Sequence, residues 1–171
     1  MVFLNDAIPS LLKQTDPAIG AGGGVEPHVL AALRAHWMRM FDKHGAMPTR
    51  DEFDPVAVPK FLSSLWLFER LGLSGVYRVR LAGTTICEAL GRELTGYRLD
   101  AFPIPGFGAN LAMCIDGCIA RGGPFRASFG AVVDARVPNP IGRCEHLAVP
   151  LAANTVHPQM ALVASVFLPA R

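Results

Sequence analysis

The stretch from residue 77 to residue 102 constrains the fold more than any other part of this chain. Its first five residues, YRVRL, alternate between apolar and basic side chains, a pattern typical of a strand with one buried face. Gly83, Gly91 and Gly96 then divide the next residues into short apolar segments. A strand that passes into several short helices argues against folds built around one long central helix.

Apolar and alternating segments predict five strands, and two of these are expected to lie inside the sheet. Segments 65–68 and 160–168 are apolar on both faces, as is usual for strands covered on both sides. A turn at Leu73-Ser74-Gly75 is expected to join the first strand to the second as a hairpin. The predicted strands are 65–68, 76–81, 125–133, 144–151 and 160–168, and the predicted helices include 27–44 and 111–120.

The chain is predicted to consist of an arm and one domain. Residues 1–26 contain a glycine patch and are interpreted as a flexible N-terminal arm. Residues 27–171 are interpreted as a single domain that begins with the helix 27–44, for which Pro27 suits the first turn. This helix is expected to end near Gly45 and to cover the outer face of the sheet.

Two strands, a helical crossover and three strands form the order found in PAS domains, and several short motifs agree with it. The chain resembles a bacterial family of short, stand-alone PAS-like proteins through motifs that occur in the same order and spacing: Met47-Pro48, Phe53-Asp54-Pro55, Tyr77-Arg78-Val79, Leu81-Ala82-Gly83-Thr84, Gly91-Arg92, Thr95-Gly96, Glu145 and Leu147–Leu151. His146 departs from the family pattern, in which an arginine is expected. The resemblance implies an α+β fold with one five-stranded antiparallel sheet, and a role as a signalling sensor or adaptor without catalysis of its own.

A sensor of this kind needs a pocket, and the inward residues of the strands and crossover helices are expected to form it. The predicted pocket residues are mostly apolar, so a bound small molecule should be mostly apolar as well. They are Leu81, Ile86, Leu90, Leu94, Leu111, Met113, Cys114, Ile115, Cys118 and Phe129. In a pure interaction adaptor the same space would instead be filled by the side chains of Phe102, Phe107, Phe125 and Phe129.

The composition favours a homodimer. Hydrophobic residues make up 51% of the chain and charged residues only 18%, against about 25% in typical soluble domains. The helix 27–44 is apolar over a broad arc, so a second chain is expected to cover part of it, with residues 1–20 reaching across. A charge at Leu30 or Met38 should then weaken the dimer and leave the domain folded. The predicted interface residues are Leu30, Leu33, Trp37, Met38 and Phe41.

The sequence argues against the cofactors of other PAS branches. A flavin photoreceptor needs a reactive cysteine within an N-C-R-F-L-Q-like helix, and Cys87 lacks the flanking Asn and Arg. A haem sensor needs an axial histidine on the helix before the third strand, and residues 110–120 contain none, although thiolate ligation stays open. Cys114 and Cys118 share a helix face and are interpreted as core residues rather than as a thiol switch or a metal site.

An enzyme is the alternative from a different class. Hotdog-like or ketosteroid-isomerase-like folds also build apolar pockets from a sheet and helices, and Asp116 or Asp134 would then act as acid or base. A buried carboxylate in the pocket would favour this alternative. Glu145 and His146 are neighbours on a strand and should point to opposite faces, so they are not expected to share a site.

Charge and hydropathy exclude two further classes. The net charge of +2 and the scattered basic residues do not form the clustered patch that nucleic acid requires. No apolar run approaches the length of about 20 residues that spans a bilayer, and the N-terminus lacks a basic segment. A cytoplasmic protein that works through a protein partner or a small apolar ligand is therefore expected.

Overall fold

The computed structural model describes residues 26–104 and 106–170. Most of the predicted arm, and with it the expected reach of residues 1–20 across a dimer, lies outside the described residues. The elements are α1 (His28–His44), β1 (Leu65–Leu71), β2 (Val76–Ala82), α2 (Thr84–Leu90), α3 (Phe107–Arg121), β3 (Phe125–Phe129), β4 (Ile141–Leu151) and β5 (Met160–Pro169). Within the described residues, four single-turn 3-10 helices lie between these elements, at Arg50–Glu52, Pro55–Ala57, Leu62–Ser64 and Leu99–Ala101.

The five strands form one antiparallel sheet in the order β2-β1-β5-β4-β3. The two segments that are apolar on both faces, β1 and β5, pair with each other inside the sheet, and neither lies at an edge. The predicted α+β fold, with its helical crossover and N-terminal helix, is confirmed.

The third strand is shorter than predicted and the fourth is longer. β3 ends at Phe129 and Gly130 comes next, whereas Val133 at the predicted end is 93% exposed. Beyond the strand the pairing continues only as an isolated bridge between Val132 and Ile141. Alternating apolar residues therefore predicted the strand correctly but not its end.

Strand alternation gives the sheet an inner face, covered by α2 and α3, and an outer face, covered by α1. Trp66 and Phe68 of β1 point to the inner face, and Leu65 points to the outer face. Gly83, between β2 and α2, allows the chain to pass close to the start of β1. A Cβ atom at this position would lie 2.2 Å from the carbonyl oxygen of Ser63, so only glycine fits here.

α1 packs on the outer face through its apolar side. Leu30, Leu33 and Trp37 are fully buried, and the Trp37 indole Nε1 donates a hydrogen bond to the Pro150 carbonyl oxygen at 2.7 Å. The helix ends at Gly45, whose φ of 66° is left-handed and whose N–H bonds the carbonyl oxygen of Phe41. The predicted position of the helix end agrees with this.

The expected interface residues on α1 need a correction. Leu30, Leu33 and Trp37 already pack against the chain's own sheet, so they are not available to a second chain. Met38 and Phe41 are only partly buried. The broad apolar arc of α1 is explained by the sheet together with the segment 47–62, which contains two single-turn 3-10 helices and packs beside α1.

Glutamate substitutions at Leu30 and Met38 should therefore have very different effects. Leu30→Glu should lower the free energy of unfolding by more than about 3 kcal/mol, because it removes core packing and buries an unpaired carboxylate. Met38→Glu, at a partly exposed position, should cost about 1 kcal/mol. Urea denaturation of both variants measures the difference, and equal small losses would contradict this packing of α1.

Candidate functional site

Three polar side chains meet on the inner face, on three neighbouring strands. His146 of β4 and Ser165 of β5 are directly paired in the sheet, and the His146 Nδ1 atom lies 2.7 Å from the Ser165 Oγ atom. On the other side, the Trp66 Nε1 atom of β1 donates a hydrogen bond to the same oxygen at 2.8 Å. All three residues are almost completely buried, so the serine hydroxyl joins two buried rings across the centre of the sheet.

One tautomer of His146 satisfies this arrangement best. Because Ser165 Oγ accepts from Trp66, its own proton is free to be donated to His146 Nδ1, which leaves the imidazole proton on Nε2. His146 Nε2 has no hydrogen-bond partner among the described residues. Burial lowers the pKa of His146 to about 3, so the ring is neutral at physiological pH and is a much weaker base than an exposed histidine.

Aromatic rings surround this histidine and fill the space between the sheet and the helices. The rings of Phe107 and Phe129 each lie 5.6 Å from the imidazole, measured between ring centroids. Phe107 in turn stacks on Phe102 and Phe167, at 5.7 and 6.2 Å. These separations are those of packed aromatic pairs, so the chain's own side chains occupy this part of the interior.

The structure brings most of the predicted pocket residues into this core. Buried together in the inner cluster are Ile86, Leu90, Leu94, Leu111, Cys114, Ile115 and Cys118. Phe129 is partly buried and packs against them. Met113 is partly exposed and is not one of the cluster's residues. The prediction grouped these side chains in space, and the structure shows them packed against one another.

Leu81 is placed wrongly by the sequence pattern. The register between β1 and β2 shifts after Leu67, so that Leu67 faces Leu81 while Phe68 faces Val79, and Arg80 is the extra residue. A bulge of this kind moves the next side chain to the opposite face. Leu81 consequently lies on the outer face and is 50% exposed, away from the predicted pocket.

An open cleft of about 400 Å³ borders this core, beside the start of β2 and the first half of α3. Its walls combine apolar side chains with several glycines. The lining residues are Gly75, Val76, Tyr77, Leu99, Asp100, Phe102, Ile104, Gly106, Gly108, Ala109 and Ala112. Of these, none is a predicted pocket residue.

The cysteines have the environment of core residues. Burial raises the pKa values of Cys114 and Cys144 to about 12, and that of Cys118 well above its usual value. Cys118 Sγ lies 3.2 Å from the Ile115 carbonyl oxygen, to which it donates. A thiol that stays protonated is a poor nucleophile and a poor metal ligand. Within 26–104 and 106–170, no group of three His, Cys, Asp or Glu side chains is arranged to hold a metal ion.

The two candidate carboxylates, Asp116 and Asp134, each accept a hydrogen bond from another side chain of the domain. The Tyr77 hydroxyl donates a 2.5 Å hydrogen bond to the exposed Asp116, and burial together with this contact raises the pKa of Tyr77. Two hydrogen bonds from the Arg136 guanidinium bind Asp134, whose pKa they lower to about 2. A carboxyl with so low a pKa is a weak base.

Glu145 and His146 lie on opposite faces, as their adjacent positions predicted. The Glu145 carboxylate is buried on the outer face, where it accepts from Arg126 at 2.6 Å and pairs with Arg143 at 2.9 Å. His146 points to the inner face. The carboxylate and the imidazole therefore belong to separate clusters.

Sequence reasoning missed the His146–Ser165–Trp66 cluster. Two signals could have indicated it: the histidine that replaces an expected arginine, and a serine within the apolar segment 160–168. What the sequence could not show is that these positions lie opposite each other. That arrangement results from the β4–β5 register.

The sheet order, the crossover helices and the packed inner face define a PAS-type sensor or interaction domain. A family model described as PAS domain matches residues 25–162, and the chain belongs to that family. No curated protein matched the chain. Among the described helices, none has both the length and the apolar character needed to cross a membrane.

Proposed function

We propose that this chain is an interaction adaptor, a PAS domain that works by binding a protein and does not bind a small molecule in its core. The observation that supports the proposal is the packing of aromatic rings around His146. Phe107 packs against Phe102, Phe167 and the His146 ring, all between the sheet and the helices. A ligand of even modest size would have to displace these rings.

The proposal assigns no catalysis to the domain. Asp134 is held by Arg136, and His146 is enclosed by apolar rings with its pKa lowered to about 3. Because both groups have lowered pKa values, neither Asp134 nor His146 readily accepts a proton near pH 7. The residues that a hotdog-like or ketosteroid-isomerase-like site would use thus serve the packing and the surface of the domain.

Native mass spectrometry of freshly purified protein, together with its absorption spectrum, tests the proposal. We expect the mass of the polypeptide or of a whole-number oligomer, and no absorption band beyond that of Trp and Tyr. A small molecule that remains bound in stoichiometric amount, and is lost on denaturation, would contradict it. A Phe107→Ala variant serves as a comparison, because opening the core could create a site that the unmodified protein lacks.

A further inference from the structure

We infer that the edge strand β3 is a self-complementary interface through which two copies of this chain pair antiparallel, centred on Ala127. The inference deepens the proposed function, on which it rests, by naming a second copy as a protein partner. It starts from the position of β3, which is the last strand of the sheet. An edge strand presents unpaired backbone groups that can extend the sheet.

The hydrogen-bond alternation shows which backbone groups of β3 point outward. Arg70 N–H donates to the Gln159 carbonyl oxygen in the β1–β5 register. Antiparallel pairs alternate between bonded and non-bonded positions. The odd-numbered residues of β5 therefore bond to β1, and its even-numbered residues bond to β4. The even-numbered residues of β4 then bond to β3, facing its odd-numbered residues. Arg126 and Ser128 therefore direct their N–H and C=O groups away from the sheet.

The sequence of β3, Phe-Arg-Ala-Ser-Phe, suits pairing with itself around Ala127. In that register Arg126 lies opposite Ser128 of the second copy, and four backbone hydrogen bonds can form. Phe125 lies opposite Phe129 of the second copy at a non-bonded position, where side chains come closest. Both phenylalanines are partly buried in the single chain, and cross-strand aromatic pairs stabilise sheets.

The two neighbouring registers that keep the outward groups paired are less favourable. Centring on Arg126 places two arginines directly opposite each other and brings Pro124, which lacks an N–H, into a bonded position. Centring on Ser128 places each Phe129 opposite Ala127 and removes the aromatic pairs. The register centred on Ala127 is thus the one that combines hydrogen bonds with side-chain pairing.

The charge of Arg126 does not oppose this pairing. In each chain its guanidinium is bound to Glu145 at 2.6 Å on the outer face. The Arg121 guanidinium lies 4.9 Å from the centre of the Phe125 ring on the other face. A strand of five residues makes a small interface, so the dimer should be weak and dependent on concentration.

Cysteine cross-linking tests both the surface and the register. In the inferred dimer the two Ala127 residues face each other at a non-bonded pair, with Cα atoms about 4.5 Å apart, within the range that a disulfide can bridge. We expect Ala127→Cys, although its side chain is only 3% exposed in the single chain, to reach a high final yield of covalent dimer under oxidised glutathione, and Ser128→Cys, whose thiol would face Arg126, to stay largely without a cross-link. The unmodified chain reports any cross-linking by its native cysteines.

A second pair of variants does not depend on disulfide formation. Ser128→Pro removes one outward N–H and leaves the bonds to β4, whereas Ser128→Ala keeps that N–H. Sedimentation velocity should show a dimer for the unmodified chain and for Ser128→Ala, and at least about tenfold weaker association for Ser128→Pro.

A chain that stays monomeric up to about millimolar concentration would overturn the inference, as would a dimer with equal cross-linking at positions 127 and 128. Neither result bears on whether a small molecule occupies the core. Native mass spectrometry decides that question separately.

Discussion

Replacing Ser165 with alanine should lower the free energy of unfolding by about 2–6 kcal/mol, because each buried polar group left without a partner costs about 1–3 kcal/mol. The serine hydroxyl is the common partner of Trp66 Nε1 and His146 Nδ1, at 2.8 and 2.7 Å. Both rings are fully buried, so water cannot replace the lost bonds. Urea denaturation with an unchanged m-value would measure the loss.

Ser128→Ala provides the matched control for this substitution. Ser128 lies at the sheet edge, is only partly buried and is not part of the cluster, so its loss should change stability by less than about 0.5 kcal/mol. Adding His146→Leu to Ser165→Ala should recover part of the stability, because one unpaired polar ring is then replaced by an apolar side chain. A loss below about 1 kcal/mol for Ser165→Ala would show that the hydrogen bonds contribute little.

Acidification should also destabilise the protein, by about 1.4 kcal/mol per pH unit for each histidine that protonates only on unfolding. Burial lowers the pKa of His146 from 6.5 to about 3. Between these values the unfolded chain binds a proton that the native state does not. The contribution of neutral His146 to the free energy of unfolding is therefore fully present above about pH 6.5, and it falls as the pH drops toward 3. His36, whose pKa burial also lowers, contributes with the same sign.

The effect of His146 is best measured between about pH 6.5 and 5, above the range where carboxylates titrate. Over that window the unmodified protein should lose about 1.6 kcal/mol through His146 alone. His146→Leu should remove that part of the slope and leave the part that is due to His36. Parallel pH profiles for the two proteins would contradict the assigned burial of His146. Urea denaturation at several pH values provides the measurement.

Much of the fold could be predicted because the relevant signals are local. Segments that are apolar on both faces placed β1 and β5 inside the sheet, and glycines marked both ends of α2. Residues 77–79 were assigned to the correct faces because strand alternation needs no knowledge of neighbours. Leu81 was not, because a bulge opposite Leu67 and Phe68 depends on how two strands pair.

In the candidate site, too, the local pattern could be predicted but the packing between distant segments could not. Residues expected to line a ligand pocket do meet in space, but their apolar character could not show whether they enclose a cavity or pack together. The volumes and rotations of Phe102, Phe107 and Phe167 decide that, and in the structure they pack against each other. The breadth of the apolar arc on α1 was equally ambiguous, since both a sheet and a second chain could cover it.

The elements, their order and the PAS family could be established from the amino-acid sequence, because periodicity and glycine positions act over a few residues. Three further features depended on tertiary packing: the meeting of His146, Ser165 and Trp66, the burial of Leu30 and Trp37 against the chain's own sheet, and the outward backbone groups of β3. Each is set by register or packing between segments far apart in the chain, where a shift of one residue exchanges the two faces of a strand.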